Sequence, residues 1–245
     1  CKCEAYAYGH QCCDFSDGTL VCLTPGESIS MKGNNKEFPS KGWILAFHPD
    51  LICGTPLGLN IHNYTFFSYC PEEALHLSLR EKQIILEFLE RIRQELERCI
   101  DRHSKKIISK YIELLLDYCT RFYERQFITR SEVNKKVFRE FNYLLDNHFN
   151  VKVSLSTDVL SDEYCANLLH LSPAYFNDLL KYEIGKEFKE YIQFKRFEIA
   201  KGWLVNTDKT LGQIAQELGF SNSQYFSRLF KKITGCSPNE FRMPN

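Results

Sequence analysis

The sequence predicts an α+β protein in two parts: an N-terminal β-rich region with a helical hairpin, then an all-α domain holding two helix-turn-helix units joined by a linker helix. Three observations predict it. Seven of the twelve glycines precede Leu59, the next is Gly185, and no proline falls between Pro71 and Pro173, so turn-forming residues crowd the start and leave a long stretch fit for helices. From Ile84 onward apolar residues recur at spacings of three and four, the period of a helix with one buried face. Finally, 171–191 and 220–241 repeat one another at an offset of 50 residues: Tyr175-Phe176 with Tyr225-Phe226, Leu179 with Leu229, Lys181 with Lys231, Gly185 with Gly235 and Tyr191 with Phe241.

At 245 residues and 44% hydrophobic content the chain can bury two ordinary cores. Lys+Arg and Asp+Glu are equal at 31 each, so a polyanionic partner has to be held by a local patch. The distribution supplies one: 131–191 carries seven basic and ten acidic residues, whereas 192–245 carries eight and four. The cysteine count of 11 is odd and irregularly spaced, which suits reduced thiols in a cytoplasmic protein better than a disulfide framework. No apolar run approaches the ~18 residues of a transmembrane span, so no membrane partner is expected. The stretch CKCEAYAYGHQCCDF has neither the basic start nor the apolar core of a signal peptide, and the N-terminus reads as incomplete or processed.

In the first part, GTLVCLT, GWILAFH and YTFFSYC are strand-like pieces between turn signals such as TPGES and GTPLG, which predicts antiparallel β-structure over about 1–70. Ile84, Ile85, Phe88, Leu89, Ile92, Leu96 and Ile100 then mark one helix, and Ile107, Ile108, Tyr111, Ile112, Leu115, Cys119, Phe122 and Tyr123 a second. The short connector DRHS makes them antiparallel neighbours. Their broad stripes either cap the β-region or supply a homodimer seam. Phe47, Tyr64, Phe66, Phe67 and Tyr69 either fill the core or enclose a pocket for a small-molecule effector. A domain boundary is placed near Arg130, giving domains 1–130 and 131–245.

In the second part, Thr210 with Gln213 and Ser221 with Gln224 fit the capping box, so two helices start eleven residues apart. Ile214, Ala215 and Leu218 face inward, and Gly219 turns the corner, where a residue without Cβ takes positive φ. The second helix buries Tyr225 or Phe226, with Leu229, Phe230 and Ile233. Its other face shows Ser221, Asn222, Ser223, Gln224, Ser227, Arg228, Lys231 and Lys232. Double-stranded DNA calls for such a set: arginine reads guanine through two hydrogen bonds, an amide reads adenine, and lysines and hydroxyls hold phosphates. A solvated amphipathic face is the plainer reading of one such helix, and the duplication argues against it. Upstream, Ala166, Leu169 and Leu171 lead into Ser172 and Pro173, with Ala174, Asn177, Asp178 and Lys181 on the outer face of the next helix. EFKEYIQFKRFEIAKGWL, carrying Tyr191, Ile192, Ile199, Ala200, Trp203 and Leu204, joins the two units.

With YIQFKRFEIAKGWL, IAQELGFSNSQYFSRLFKKITGCSPNEFR and the ending Gly235, Ser237, Pro238, Phe241, Arg242, the chain resembles the AraC/XylS family of transcriptional regulators over about Val151 to Pro244. The resemblance implies two recognition helices offered to successive major grooves and an N-terminal sensor, here a partial cupin-like β-domain. The first unit departs from the family pattern. Asn177-Asp178 replaces a Ser-Arg-like pair, and Phe188 stands where a proline is usual.

No Gly-rich phosphate loop, GxSxG or HExxH occurs, so neither an enzyme nor a cofactor is called for. Cys1, Cys3, Cys12, Cys13 and Cys22 with His10 and His48 lack zinc-site spacing and the HxH of metal-binding cupins, which leaves no metal assigned. The cysteines read as small apolar fillers, and His48 as a structural histidine at a strand end. The leading expectation is an effector-responsive, sequence-specific DNA-binding regulator, acting as a cytoplasmic homodimer. The competing readings are a cupin-type metalloenzyme or thiol/metal sensor with a helical tail, and a helical interaction protein.

Overall fold

The computed structural model describes residues 9–27, 42–150 and 160–243. Cys1, Cys3, Pro244 and the segment 151–159, where the family resemblance begins, lie outside them. The chain divides into two compact units, Cys1–Asn134 and Lys135–Asn245.

In the first unit the described β-structure is one antiparallel ribbon, β1 (Gly18–Leu20) with β2 (Leu75–Leu77), in the register Gly18↔Leu77, Thr19↔His76 and Leu20↔Leu75. The β-rich expectation is therefore met in small part. Of GTLVCLT only the first three residues pair. GWILAFH forms neither helix nor strand, with Ile44 almost fully exposed. YTFFSYC winds into a 3₁₀ turn at Thr65–Ser68. That turn eclipses residues three apart, which is what lets Phe66 stack on Tyr123 while Tyr69 meets the same ring edge-on. Two of the five aromatics expected around an effector thus belong to the core. GTPLG, a turn signal in the sequence, instead opens a helix: Thr55 caps α2 (Pro56–Asn60), just after α1 (Pro49–Ile52). Proline at the first helical position marks both starts. His48 caps α1 through Nδ1 and is exposed, so it terminates no strand.

The helical hairpin is present as α3 (Leu79–Leu96) and α4 (Ser104–Thr129). Ser78 and Glu81 form a reciprocal capping box at its start. Ile85, Ile92, Ile108, Ile112, Leu115, Leu116, Cys119, Phe122 and Tyr123 are buried, whereas Leu96, Ile100 and Ile107 from the expected stripes are exposed. Inside α4, Gln126 completes the ribbon by accepting from the His76 backbone N–H at 2.8 Å and donating to the Ala74 carbonyl at 3.0 Å. A buried polar side chain is stable there because both ends of its amide are satisfied.

α5 (Ser131–Asn150) begins in the first unit, and its part in the second supplies Phe141 and Leu145 to a core with Cys165, Ala166, Phe176, Leu180, Phe188, Tyr191 and Ile192. A second core gathers Phe197, Ala200, Leu204, Ile214, Ala215, Leu218, Phe220, Phe226 and Phe230. The linker helix α8 (Phe188–Asn206) serves both. Ile192 and Phe197 are five residues apart, about 140° around a helix of 3.6 residues per turn, so its two ends bury different faces. A single-stripe reading follows the helix and passes over Phe197, which is 1% exposed.

Candidate nucleic-acid interface

Each half of the second unit builds the same corner. α6 (Asp162–Leu168) is followed by α7 (Pro173–Ile184), and α9 (Leu211–Glu217) by α10 (Ser223–Thr234). The Leu171 N–H reaches back to the Ala166 carbonyl at 2.9 Å, and the Phe220 N–H reaches Ala215 at 2.8 Å. His170 at φ 57° and Gly219 at φ 74° hold matching left-handed positions. These corner residues are offset by 49, while the longer helices keep the offset of 50, so the second corner carries one extra residue. Both longer helices end at a left-handed glycine, Gly185 or Gly235, whose N–H caps Lys181 or Lys231.

The first cap of the second half is as expected: Thr210 and Gln213 form a capping box. The next differs. The extra residue moves the cap from Ser221 to Asn222, whose Oδ1 accepts from the Tyr225 N–H at 2.7 Å, so the Ser221/Gln224 box is not formed. Phe226 and Phe230 are fully buried, and Leu229 packs beside them. Of the alternatives Tyr225 or Phe226 the structure buries Phe226, leaving Tyr225 exposed, and Ile233, expected inside, is exposed as well.

That leaves a continuous outer face on α10. Ser221, Asn222, Gln224, Arg228, Lys231 and Lys232 are exposed, and Ser223 and Ser227 are half-buried, the Ser227 hydroxyl donating to the Ser223 carbonyl. Among the described residues no hydrogen bond occupies the heads of Gln224, Arg228, Lys231 or Lys232. The Arg228 guanidinium lies 5.6 Å from the Tyr225 ring centroid, a contact that steadies the long side chain without consuming its donors.

The corresponding face of α7 is differently committed. Ser172 is buried, its hydroxyl accepting from the Tyr175 N–H, and Pro173 opens the helix beside half-buried Ala174. The Asn177 amide donates to Asp162 at 2.9 Å and to the Pro173 carbonyl at 3.0 Å. Lys181 pairs with Glu187 at 3.2 Å, and Asp178 is half-buried. Phe188 is buried in the first core.

One residue near the second corner had no signal in the sequence beyond its charge. Arg196 on α8 has its Cζ 6.0 Å from the Phe220 ring, and its buried Nε has no hydrogen-bond partner. Desolvation pushes this guanidinium below its ordinary value. Desolvation also lowers His148 on α5, with the Arg196 charge adding to the effect.

Residues 165–243 match the family described as "Helix-turn-helix domain". The chain is 33% identical over 112 residues to an uncharacterized HTH-type transcriptional regulator, YtdP of Bacillus subtilis, covering 46% of this chain and 14% of that one. It is 24% identical over 225 residues to an uncharacterized HTH-type transcriptional regulator, YijO of Escherichia coli, covering 92% and 76%. Among solved structures, the C-terminal domain of AraT, a response regulator from Geobacillus stearothermophilus, shares 32% identity over 43% of this chain and 82% of that one, with a TM-score of 0.36. The chain spans less than half the length of each of the first three curated relatives it matches. Among the described residues no helix is long and apolar enough to cross a membrane, and no group of three or more His, Cys, Asp or Glu is placed to hold a metal ion.

Proposed function

From a chain whose residues 165–243 match a helix-turn-helix family shared with transcriptional regulators, we propose a sequence-specific, AraC-type DNA-binding regulator. The observation that carries the reading is the outer face of α10, where Gln224, Arg228, Lys231 and Lys232 stand together with uncommitted donors on a helix whose opposite face is fixed by Phe226 and Phe230. Those groups combine base-edge readers with phosphate anchors.

The two halves do unequal work in this proposal. α10 is the main anchor, with Ser221, Asn222, Ser223 and Ser227 flanking its readers. α7, where Asn177 and Lys181 are already held by Asp162 and Glu187, mainly discriminates among sequences, while Ser172 and Pro173 set the helix start. The effector-binding, cupin-like N-terminal region and the homodimer belong to the same proposal. Ile107 and Leu114, both exposed and two turns apart on one face of α4, support a self-association surface.

Selection of bound duplexes from a random pool tests the reading. An enriched motif recovered by the 245-residue chain, and relaxed at one base pair in Arg228→Ala, is the expected result. Failure to retain any duplex at low salt would leave the interaction-protein alternative in its place.

A further inference from the structure

Cys12 and Cys13 are not the apolar fillers that composition suggests: both are exposed. They fill the two central positions of a turn closed by the Asp14 N–H donating to the Gln11 carbonyl at 3.0 Å. Its two ends are fixed. Asp14 Oδ2 accepts from the Gln11 N–H at 2.8 Å and from Arg130 at 2.6 Å, and Asp14 Oδ1 accepts from Arg130 Nε at 2.9 Å. The Asp14 side chain has no exposure and that of Arg130 has 6%. Arg130 also donates to the Gly9 carbonyl, and Gly9, at φ 64°, packs so closely on the Glu72 backbone that a Cβ would overlap its oxygen. The outcome is a solvent-facing pair of adjacent thiols on a rigid mount. That mount is Arg130, the single residue between α4 and α5.

We propose that Cys12 and Cys13 form a two-thiol site for trivalent arsenicals, and that closure of the arsenic on both sulfurs loosens the Asp14–Arg130 pair at the α4–α5 junction. Consecutive Cα atoms are about 3.8 Å apart, which lets two neighbouring sulfurs converge on one soft centre. The condensation balances without an oxidant or reductant: an organoarsenic oxide and two thiols give two As–S bonds and one water. The As–O bond breaks, both S–H protons leave with that oxygen, and the arsenic stays trivalent.

Desolvation, Asp14 and the neighbouring thiol together hold the Cys13 proton on. That leaves little free thiolate and slows the attack on arsenic, while the overall condensation still carries both S–H protons away in the water formed. Cys53, Cys70 and Cys99 are exposed but have no adjacent cysteine in the sequence. Burial raises both Cys119 and Cys22, with the Cys22 thiol adding to the rise at Cys119 and Cys22 itself pushed up to about 12. Bringing the two sulfurs together rotates the centre of the turn, and the strain falls on Asp14, whose one carboxylate closes both the turn and the Arg130 contact.

The test uses the whole 245-residue chain and phenylarsine oxide, read by intact mass and peptide mapping. One phenylarsenic group is expected on the peptide holding Cys12 and Cys13, resistant to a monothiol and released by a dithiol. Because the second thiol binds intramolecularly, Cys12→Ser and Cys13→Ser should each weaken retention by about a hundredfold or more while leaving the melting temperature unchanged. An adduct mapped elsewhere, or retention unchanged in either variant, overturns the site. Hydrogen exchange over 127–134 should quicken in the adduct and stay unchanged in arsenical-treated Cys12→Ser. An adduct in place with unchanged exchange overturns the coupling.

Discussion

Asp14 and Arg130 lie 116 positions apart in the chain, yet their side chains form a bidentate pair closed off from solvent. Nothing local in the sequence marks two such distant charges as partners, and this is why the latch was illegible before the fold was known. Desolvation works to raise the Asp14 carboxyl, but the Arg130 hydrogen bond, the Gln11 N–H and the nearby Arg130 and His76 charges outweigh it and bring it below its ordinary value. A depressed carboxyl contributes stability that is fully present above the unfolded-state value of about 3.9 and is lost as pH falls through it toward the folded value. Asp14→Asn should therefore lower the stability of the 1–134 unit by about 3–5 kcal/mol at pH 7, because it leaves a buried guanidinium without its counter-charge. It should also flatten the acid limb below about pH 4. Urea titrations of both proteins at pH 7 and across pH 5 to 3 check this, and an acid limb of equal steepness in the variant would assign it to other carboxylates.

At the scale of elements, legibility followed local chemistry. Thr210 with Gln213 and the paired glycines Gly185 and Gly235 could be read directly, because each satisfies a helix end within a few residues. The Asn222 cap could not, since it depends on the extra residue in the second corner. YTFFSYC misled for another reason: aromatic residues favour strands in general, but here the Tyr123 ring rewards a 3₁₀ spacing. Two substitutions separate backbone strain from packing. Gly235→Ala meets nothing within 4 Å, so it should cost only the left-handed strain, about 1–2 kcal/mol. Phe226→Ala removes a fully buried ring that packs with Phe197, Phe220 and Phe230, and should cost about 3–5 kcal/mol. Thermal denaturation of a 131–245 fragment reads both, and equal losses would show that the glycine supports more than its own φ.

At the scale of the whole molecule, the charge division visible in the sequence acquires a place: the basic C-terminal stretch contributes the exposed donors of α10, while the readers expected on α7 are tied to Asp162 and Glu187. The two-unit helical plan was legible because it is written twice. The N-terminal unit was not, because its ribbon joins residues more than fifty positions apart and its short helices begin at prolines that also serve turns. In the proposed function α10 both anchors the duplex and, through Arg228, reads its sequence. The measurement that tests this most directly is fluorescence-anisotropy titration of the chain and of Arg228→Ala against the selected duplex and a scrambled duplex, at several salt concentrations. Affinity for both duplexes should fall as salt rises, and losing the arginine's base contact, at about 1–3 kcal/mol, should weaken the selected complex roughly 5- to 150-fold while leaving the scrambled one much less affected. Equal weakening on both duplexes, or no change on either, would contradict the assignment of α10 as the helix that reads sequence.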